Sequence, residues 1–460
     1  MKSRNIDMLS GPLLSKMINY TIPIVLSALL QLLYSAADMI VIGQFAGADA
    51  FAAVGATPSI TNLFTTLFMG IANGGCICVA QYYGARDAKN VSQTVHTCVL
   101  VSIIGGLIIG VVGCFFAEGA LSLMGTHKDI IKLSTLYMQI IFLSFPFTLF
   151  YNFAAGIMRA AGDAKTPFYI LALTGLVNVM LNLVFVIGFK MSVAGVALAT
   201  AISAVLNALI SGRLLMRSSD IIYISFKELR VYKDKLLKVI NYGIPSAIQS
   251  LMFSLSNVFI QTSINSFDSV NIVGGASAAS NIESFIYAGM NSIAQTALNF
   301  ASQNFGGRKY DRVAKTLKLG CLMVIVCGIS LAVIALTFRV PLLEIYQPGN
   351  PEAIEAGISR MNIVSTTYFL CGLYEVVVSV LRAIGSTWVP AVISIASICG
   401  IRILWILTIF PMYHTLTSLY LTYPVTWTVT LIIFAGIYIF RSKHYFAKNE
   451  EKFKAIENNK

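Results

Sequence analysis

The sequence predicts an all-α membrane protein of twelve transmembrane helices in two six-helix lobes, and three observations predict it. Hydrophobic residues make up 57% of the 460 and charged residues only 11%, with a mean hydropathy of +0.78, well outside the range of soluble globular chains. Twelve apolar stretches are long enough to cross a bilayer, for which roughly 20 helical residues suffice. The chain also repeats itself, residues 22–167 reappearing in register at 244–390. Ile22-Pro23 matches Ile244-Pro245, and Gln81, Gly84 and Arg86 match Gln303, Gly306 and Arg308, at an offset of 222. Arg159-Ala160, Gly162 and Pro167 match Arg382-Ala383, Gly385 and Pro390 at 223, so one inserted residue covers the difference. A duplicated block of this length exceeds any solenoid repeat, and duplicated apolar halves are a frequent construction of secondary transporters, with substrate held between them.

The spans follow in order near 16–42, 51–81, 92–117, 129–156, 165–188, 192–216, 238–264, 271–302, 314–337, 356–381, 388–410 and 415–440. The first opens after a mixed polar stretch, Met1 to Tyr20, and its apolar run is too long for the core of a cleavable signal. The second and eighth close on Gln81-Tyr-Tyr-Gly and Gln303-Asn-Phe-Gly, and the fourth and tenth on Arg159-Ala-Ala-Gly and Arg382-Ala-Ile-Gly. A basic segment near 213–238 separates the sixth span from the seventh, giving an amino-terminal lobe 1–217, a connector 218–237, a carboxyl-terminal lobe 238–441 and a frayed tail 442–460. The segment reads as a plain cytoplasmic connector; an amphipathic helix on anionic lipid headgroups is the alternative.

Charge sets orientation rather than implying a nucleic-acid partner. The net charge is +12, and 26 of the 32 Lys and Arg fall at the termini and in the loops after the even-numbered spans. The opposite loops and their flanks hold only Lys128, Lys132, Lys190, Arg339 and Arg360, and Arg402 lies inside a span. By the positive-inside rule both termini are cytoplasmic. An even number of spans per half makes the repeat parallel, its axis along the membrane normal. All eight cysteines fall within spans, and Cys76-Ile-Cys78 lacks a second ligand pair or nearby His, so buried thiols rather than a metal site are expected.

Candidate chemistry lies where the bilayer makes polarity expensive. A mid-span carboxylate costs about 2.5–3.5 kcal/mol on insertion scales, so one kept there faces a cavity or a partner. Three of the twenty acids lie well inside spans: Asp38, Glu283 and Glu375. Gln31, Tyr34, Ser35 and Asp38 make one polar stripe on the first helix, in which Pro23 removes a backbone hydrogen bond and predicts a bend. Asn178 and Asn182 share a face of the fifth helix, either as interhelical glue or, with Asp38, as a cation site. On the eighth helix Ser280, Glu283, Tyr287, Asn291 and Gln295 form a stripe, and on the tenth Tyr368, Glu375 and Ser379 a shorter one. Arg402 would be costly alone, so it either pairs with Glu283 or Glu375 in an internal network or touches substrate.

Together these residues resemble the multidrug and toxic compound extrusion (MATE) family, and its bacterial DinF-like branch in particular. The resemblance rests on Ile22-Pro23 with Gln31, Tyr34 and Asp38, on the two Gln-x-x-Gly helix ends, and on the Arg159-Ala-Ala-Gly-Asp and Arg382-Ala-Ile-Gly-Ser turns; it covers nearly the whole chain. It implies two lobes in a V around a central cleft, alternating access, and export driven by H⁺ or Na⁺. It also implies a coupling site at Asp38 with Asn178, Asn182, Tyr137 and Thr200. Many relatives carry a second carboxylate where Asn182 stands; Asp38 with neutral oxygens suits either Na⁺, a hard cation, or a single proton. A branch using a carboxylate on the seventh helix is disfavoured, since 238–264 contains none.

The expectation is therefore a monomeric cation-coupled antiporter in a bacterial inner membrane, in contact with membrane lipids. It would export small organic, cationic or amphiphilic compounds, with no cofactor, no nucleic-acid partner and no metal apart from Na⁺ at Asp38. Gln31, Tyr34, Glu283, Tyr287, Glu375 and Arg402 are expected to line the substrate cleft or form the polar network. The alternatives are a flippase for a lipid-linked saccharide and, more remotely, a membrane-embedded enzyme. Against the latter, His96, His127, His414 and His444 lie near span ends or outside, and no nucleophile or metal-ligand constellation occurs.

Overall fold

The computed structural model describes the backbone of residues 5–457 and the side chains of residues 5–437, and it is helical throughout, without strands among the described residues. Contacts divide the chain into two units, the first ending at Ser250 and the second beginning at Leu251. The first contains α1 (Leu13–Phe45), α2 (Ala48–Gly55), α3 (Pro58–Gly84), α4 (Ala88–Leu123), α5 (Lys128–Ala160), α6 (Lys165–Leu183), α7 (Ser192–Met216) and the first half of α8 (Lys233–Asn265). The second contains the rest of α8, then α9 (Val270–Gly306), α10 (Tyr310–Thr337), α11 (Arg339–Tyr346), α12 (Pro351–Ala383), α13 (Trp388–Ser394), α14 (Ile401–Met412) and α15 (Leu416–Glu457). π-Helical segments follow α6 (Val184–Gly188) and join α13 to α14 (Ile395–Gly400).

Among the described residues eleven helices are long and apolar enough to cross a membrane, against the twelve expected. The one that falls short is α9, although it is 37 residues long. Much of its polarity is turned inward: Glu283, Ser292, Thr296, Asn299, Ser302, Gln303 and Asn304 are all buried, while Ser277 and Asn281 are exposed. The expected tail from 442 continues α15 as far as Glu457, and residues 458–460 lie outside the described chain.

The duplication is visible as stereochemistry. The hub helices of the two units, α5 and α12, have bounds 223 residues apart, and α3 and α9 end 222 apart. Arg86 and Arg308 both take the left-handed backbone region, at φ 57° and 58°, as do Gly162 and Gly385, at 99° and 91°. At Gly162 this is obligatory on two counts, because a Cβ there would stand 2.5 Å from the Ile6 carbonyl oxygen. The Ile6 N–H donates to the Gly162 oxygen (3.0 Å), and Tyr20 Oη donates to the Arg159 carbonyl (2.6 Å), so the amino-terminal segment seats on the turn after α5.

Lipid and protein faces are separated on single helices. On α4, Ile104, Leu107, Ile108, Val111 and Phe115 are exposed at helical spacing, while Gly106, Gly110 and Gly113 face α5. A Cβ at Gly106 would lie 2.4 Å from the Pro146 Cα, and at Gly110 2.9 Å from the Phe142 carbonyl oxygen. With lipid as apolar as leucine, dispersion across such close backbone approaches holds membrane helices together. In the second unit Gly320 and Gly328 of α10 repeat the device against Val376 and Phe369 of α12.

The first contact unit runs on past the connector into α8, as far as Ser250, for the same reason. Gly70 and Gly74 of α3 meet Ala247 and Gly243 of α8 backbone to backbone, which ties the first turns of α8 to the first unit. The connector holds only a short 3-10 turn, Phe226–Glu228, not an amphipathic helix. It is clasped by side chains: the Ser225 N–H donates to His96 Nε2 (2.9 Å) and the Tyr232 N–H to Thr97 Oγ1 (3.2 Å).

Candidate functional site

In the first unit four helices bring the expected coupling residues together. Asn182 Nδ2, on the last turn of α6, donates to Asp38 Oδ1 of α1, and also to Asn178 Oδ1 (3.3 Å). Asn178 reaches Thr200 Oγ1 of α7 at 3.5 Å. With its amide turned so that nitrogen faces the carboxylate, Asn178 donates to Asp38 Oδ1 at 3.1 Å and accepts from the Thr200 N–H at 3.3 Å. Tyr137 of α5 lies within electrostatic reach of Asp38. Among the described residues no Lys, Arg or His pairs with Asp38, and buried Asn182 Oδ1 has no hydrogen-bond donor. The carboxylate therefore has neutral partners and a spare acceptor beside it.

The rest of the α1 stripe is not part of this cluster. Tyr34 Oη donates to the Ala172 carbonyl (3.3 Å), its ring lying where a Gly175 Cβ would be, and Gln31 is exposed. Helix α1 runs unbroken through Pro23, whose carbonyl accepts from Ser27 Oγ (2.8 Å).

In the second unit a cavity of about 280 Å³ is lined from α8, α9, α12 and α15. Glu283 and Arg360 meet in its wall, both buried, with Arg360 Nη2 and Nε donating to Glu283 Oε2 at 2.9 and 3.1 Å. Tyr287, Tyr368, Tyr423 and Trp427 supply an aromatic lining with successive ring centroids 5.1–6.4 Å apart. The Arg360 guanidinium is 5.6 Å from the ring centroids of Tyr420 and Tyr423, within cation–π range.

The expected network of Glu283, Glu375 and Arg402 does not form. Glu283 is taken by Arg360, which the charge count had assigned to a span flank; α12 begins at Pro351, so Arg360 lies inside the helix and buried. Glu375 accepts from Tyr374 Oη (3.1 Å) and is in electrostatic contact with Arg382. Arg402 follows the π-helical segment, fully buried, donating through Nη1 to Asn257 Oδ1 (3.1 Å) and Ser256 Oγ (3.4 Å). Its guanidinium lies 4.4 Å from the Tyr423 ring centroid and 5.4 Å from that of Phe253. Sequence reasoning missed Arg360, Asn257, Tyr423 and Trp427, because the burial of Arg360 and the helix it meets are set by tertiary packing.

Membrane-length helices in two units of duplicated build, each with charged groups held inside it, define a polytopic membrane protein. The chain belongs to the MatE family: the model described as MatE matches residues 23–184 and again 245–408. It is 26% identical over 431 residues to the probable multidrug resistance protein YoeA of Bacillus subtilis (strain 168), covering 92% of each chain. Over 359 residues it is 23% identical to the FAD transporter of Shewanella oneidensis, covering 77% of this chain and 78% of that one. A solved structure described as the outward-facing conformation of a multidrug resistance MATE family transporter of the MOP superfamily matches at TM-score 0.89 and 18% identity, over 97% of this chain and 99% of that one, which establishes the fold. Members of the family are transporters, so the enzyme alternative is set aside.

Proposed function

We propose that the protein is a secondary antiporter of a bacterial cytoplasmic membrane in which entry of H⁺ or Na⁺ drives export of small amphiphilic organic compounds, with Asp38 as the coupling group. One observation carries the reading: Asp38 is a carboxylate within the span α1, held by neutral amides from α6 and opposed by no protein cation among the described residues. Such a group has two ways to lose its charge, a proton or a small hard cation, and the unpaired Asn182 Oδ1 offers a cation a second oxygen. Filling the site changes the charge that α1 carries through the membrane, which couples the gradient to helix position. The multidrug resistance name of the Bacillus relative supports export of organic compounds. The cationic half of the substrate expectation is not carried forward, because Glu283 is already neutralised by Arg360.

The test is transport in proteoliposomes with Na⁺ and pH gradients imposed separately. Asp38→Asn keeps size and removes charge, so it should insert and fold normally while gradient-driven export falls to background. Normal export by Asp38→Asn would remove Asp38 from the coupling role. A lipid-flipping readout beside it separates antiport from movement of a lipid-linked saccharide.

A further inference from the structure

We propose that the cavity of the carboxyl-terminal unit binds a flat aromatic compound bearing one carboxylate, recognised by the excess of positive charge and of N–H donors around it. The charges decide the sign. Glu283 and Arg360 cancel each other in the wall, and Glu375, close enough to act on Tyr287, has Arg382 acting on it. Arg402 is left over. It makes no ion pair with any described carboxylate, and its Nε and Nη2 have no hydrogen-bond acceptor. It sits directly behind the wall, against three lining residues: Asn257 at hydrogen-bond distance, and the rings of Tyr423 and Phe253. The buried indole Nε1 of Trp427, another lining residue, is likewise an unmatched donor. A guanidinium buried this completely is poorly screened, so its uncompensated charge is felt across several ångströms.

Asn257 marks where the acid group belongs. Its Oδ1, a neutral oxygen, occupies the Arg402 Nη1 position that a carboxylate oxygen would fill with a charge-assisted bond. The residue itself is exposed, so the amide can turn aside without unpacking the unit. The ring of the ligand lies against Tyr287, Tyr368, Tyr423 and Trp427, faces that every flat π-system can use. A volume of about 280 Å³ is at the small end of ligand pockets, which begin near 300 Å³, and it suits a two-ring compound.

The experiment is equilibrium binding to the purified full-length protein in lipid nanodiscs, with three probes of one shape: 2-naphthoate, 2-naphthalenemethanol and 2-naphthylmethylammonium. Naphthoate should bind at least tenfold more tightly than the ammonium, with the alcohol between. Asn257→Asp supplies an internal carboxylate to Arg402 on an exposed, near-isosteric side chain. It should weaken naphthoate at least tenfold and erase or invert the order, whereas Asn257→Ala, which leaves Arg402 unopposed, should keep it. A tighter ammonium in the unmodified protein, no binding of any probe, or an order untouched by Asn257→Asp would overturn the proposal. The inference rests on the export reading only for the fate of the ligand. Naphthoate that binds as described but is not exported leaves the pocket standing and counts against export; gradient-driven export of other amphiphiles without the predicted order counts against the pocket alone.

Discussion

Arg360 and Glu283 show how a single misplaced charge changes the reading of a whole site. Both are buried, and their two short contacts make a fork in which each desolvated ion has one partner. Removing either partner strands the other, which costs about 3–5 kcal/mol in comparable buried pairs, whereas removing both is often near neutral. Arg360→Gln and Glu283→Gln should therefore each lower the unfolding midpoint of the detergent-solubilised protein markedly, and the double variant should regain most of the loss. Arg402→Gln combined with Glu283→Gln should instead be additive, because the two side chains make no ion pair. Non-additivity in that second pair, or additivity in the first, would contradict the assigned partners. Asp38 lies at the opposite extreme: a membrane carboxylate whose partners among the described residues are all neutral, and whose sequence neighbours Gln31 and Tyr34 turn elsewhere.

At the scale of elements, glycine placement decides which helices meet. Gly74 of α3 has no room for a side chain: a Cβ would stand 2.5 Å from both Gly243 N and Val239 O, atoms of α8 backbone that cannot swing away. Gly74→Ala should destabilise the protein by about 1–3 kcal/mol, as overpacking commonly does, and should show as a lower thermal midpoint. Gly119→Ala on α4 is the control, since nothing lies within 4 Å of its added Cβ; relief of glycine's backbone entropy should make it neutral or stabilising by up to about 1 kcal/mol. Equal effects at the two positions would mean that close approach does not set the α3–α8 contact. The shortfall of α9 as a membrane span is the reverse case. Mean hydropathy penalises its Ser, Asn and Gln residues, but tertiary packing buries Ser292, Asn299, Ser302, Gln303 and Asn304, so composition undervalues a helix whose carboxyl-terminal polar residues are internal.

For the whole molecule, the positive-inside asymmetry predicts both termini and the 213–238 segment in the cytoplasm. A cysteine introduced between 217 and 232 should resist an impermeant maleimide in intact cells and react in inverted vesicles. The native cysteines give little background, as all eight are buried or partly buried. Labelling from outside would overturn the orientation and, with it, the parallel-repeat topology.

The helical class and the duplication were legible in the chain itself, whereas the grouping of Asp38 with Asn178, Asn182 and Thr200 came only from the family resemblance. Apolar runs of bilayer length have one stable form in lipid, since every backbone polar group must be satisfied within the segment. A repeat keeps its turn stereochemistry, as Arg86 with Arg308 and Gly162 with Gly385 do. Partner choice among the charges was not legible, because spacing along one helix says which face a residue occupies but not which helix it meets. Arg360 reaches Glu283 across 77 positions and Arg402 reaches Asn257 across 145. Only packing of α9 against α12, and of α8 beside α14, decided that one carboxylate would be neutralised and one guanidinium left uncompensated.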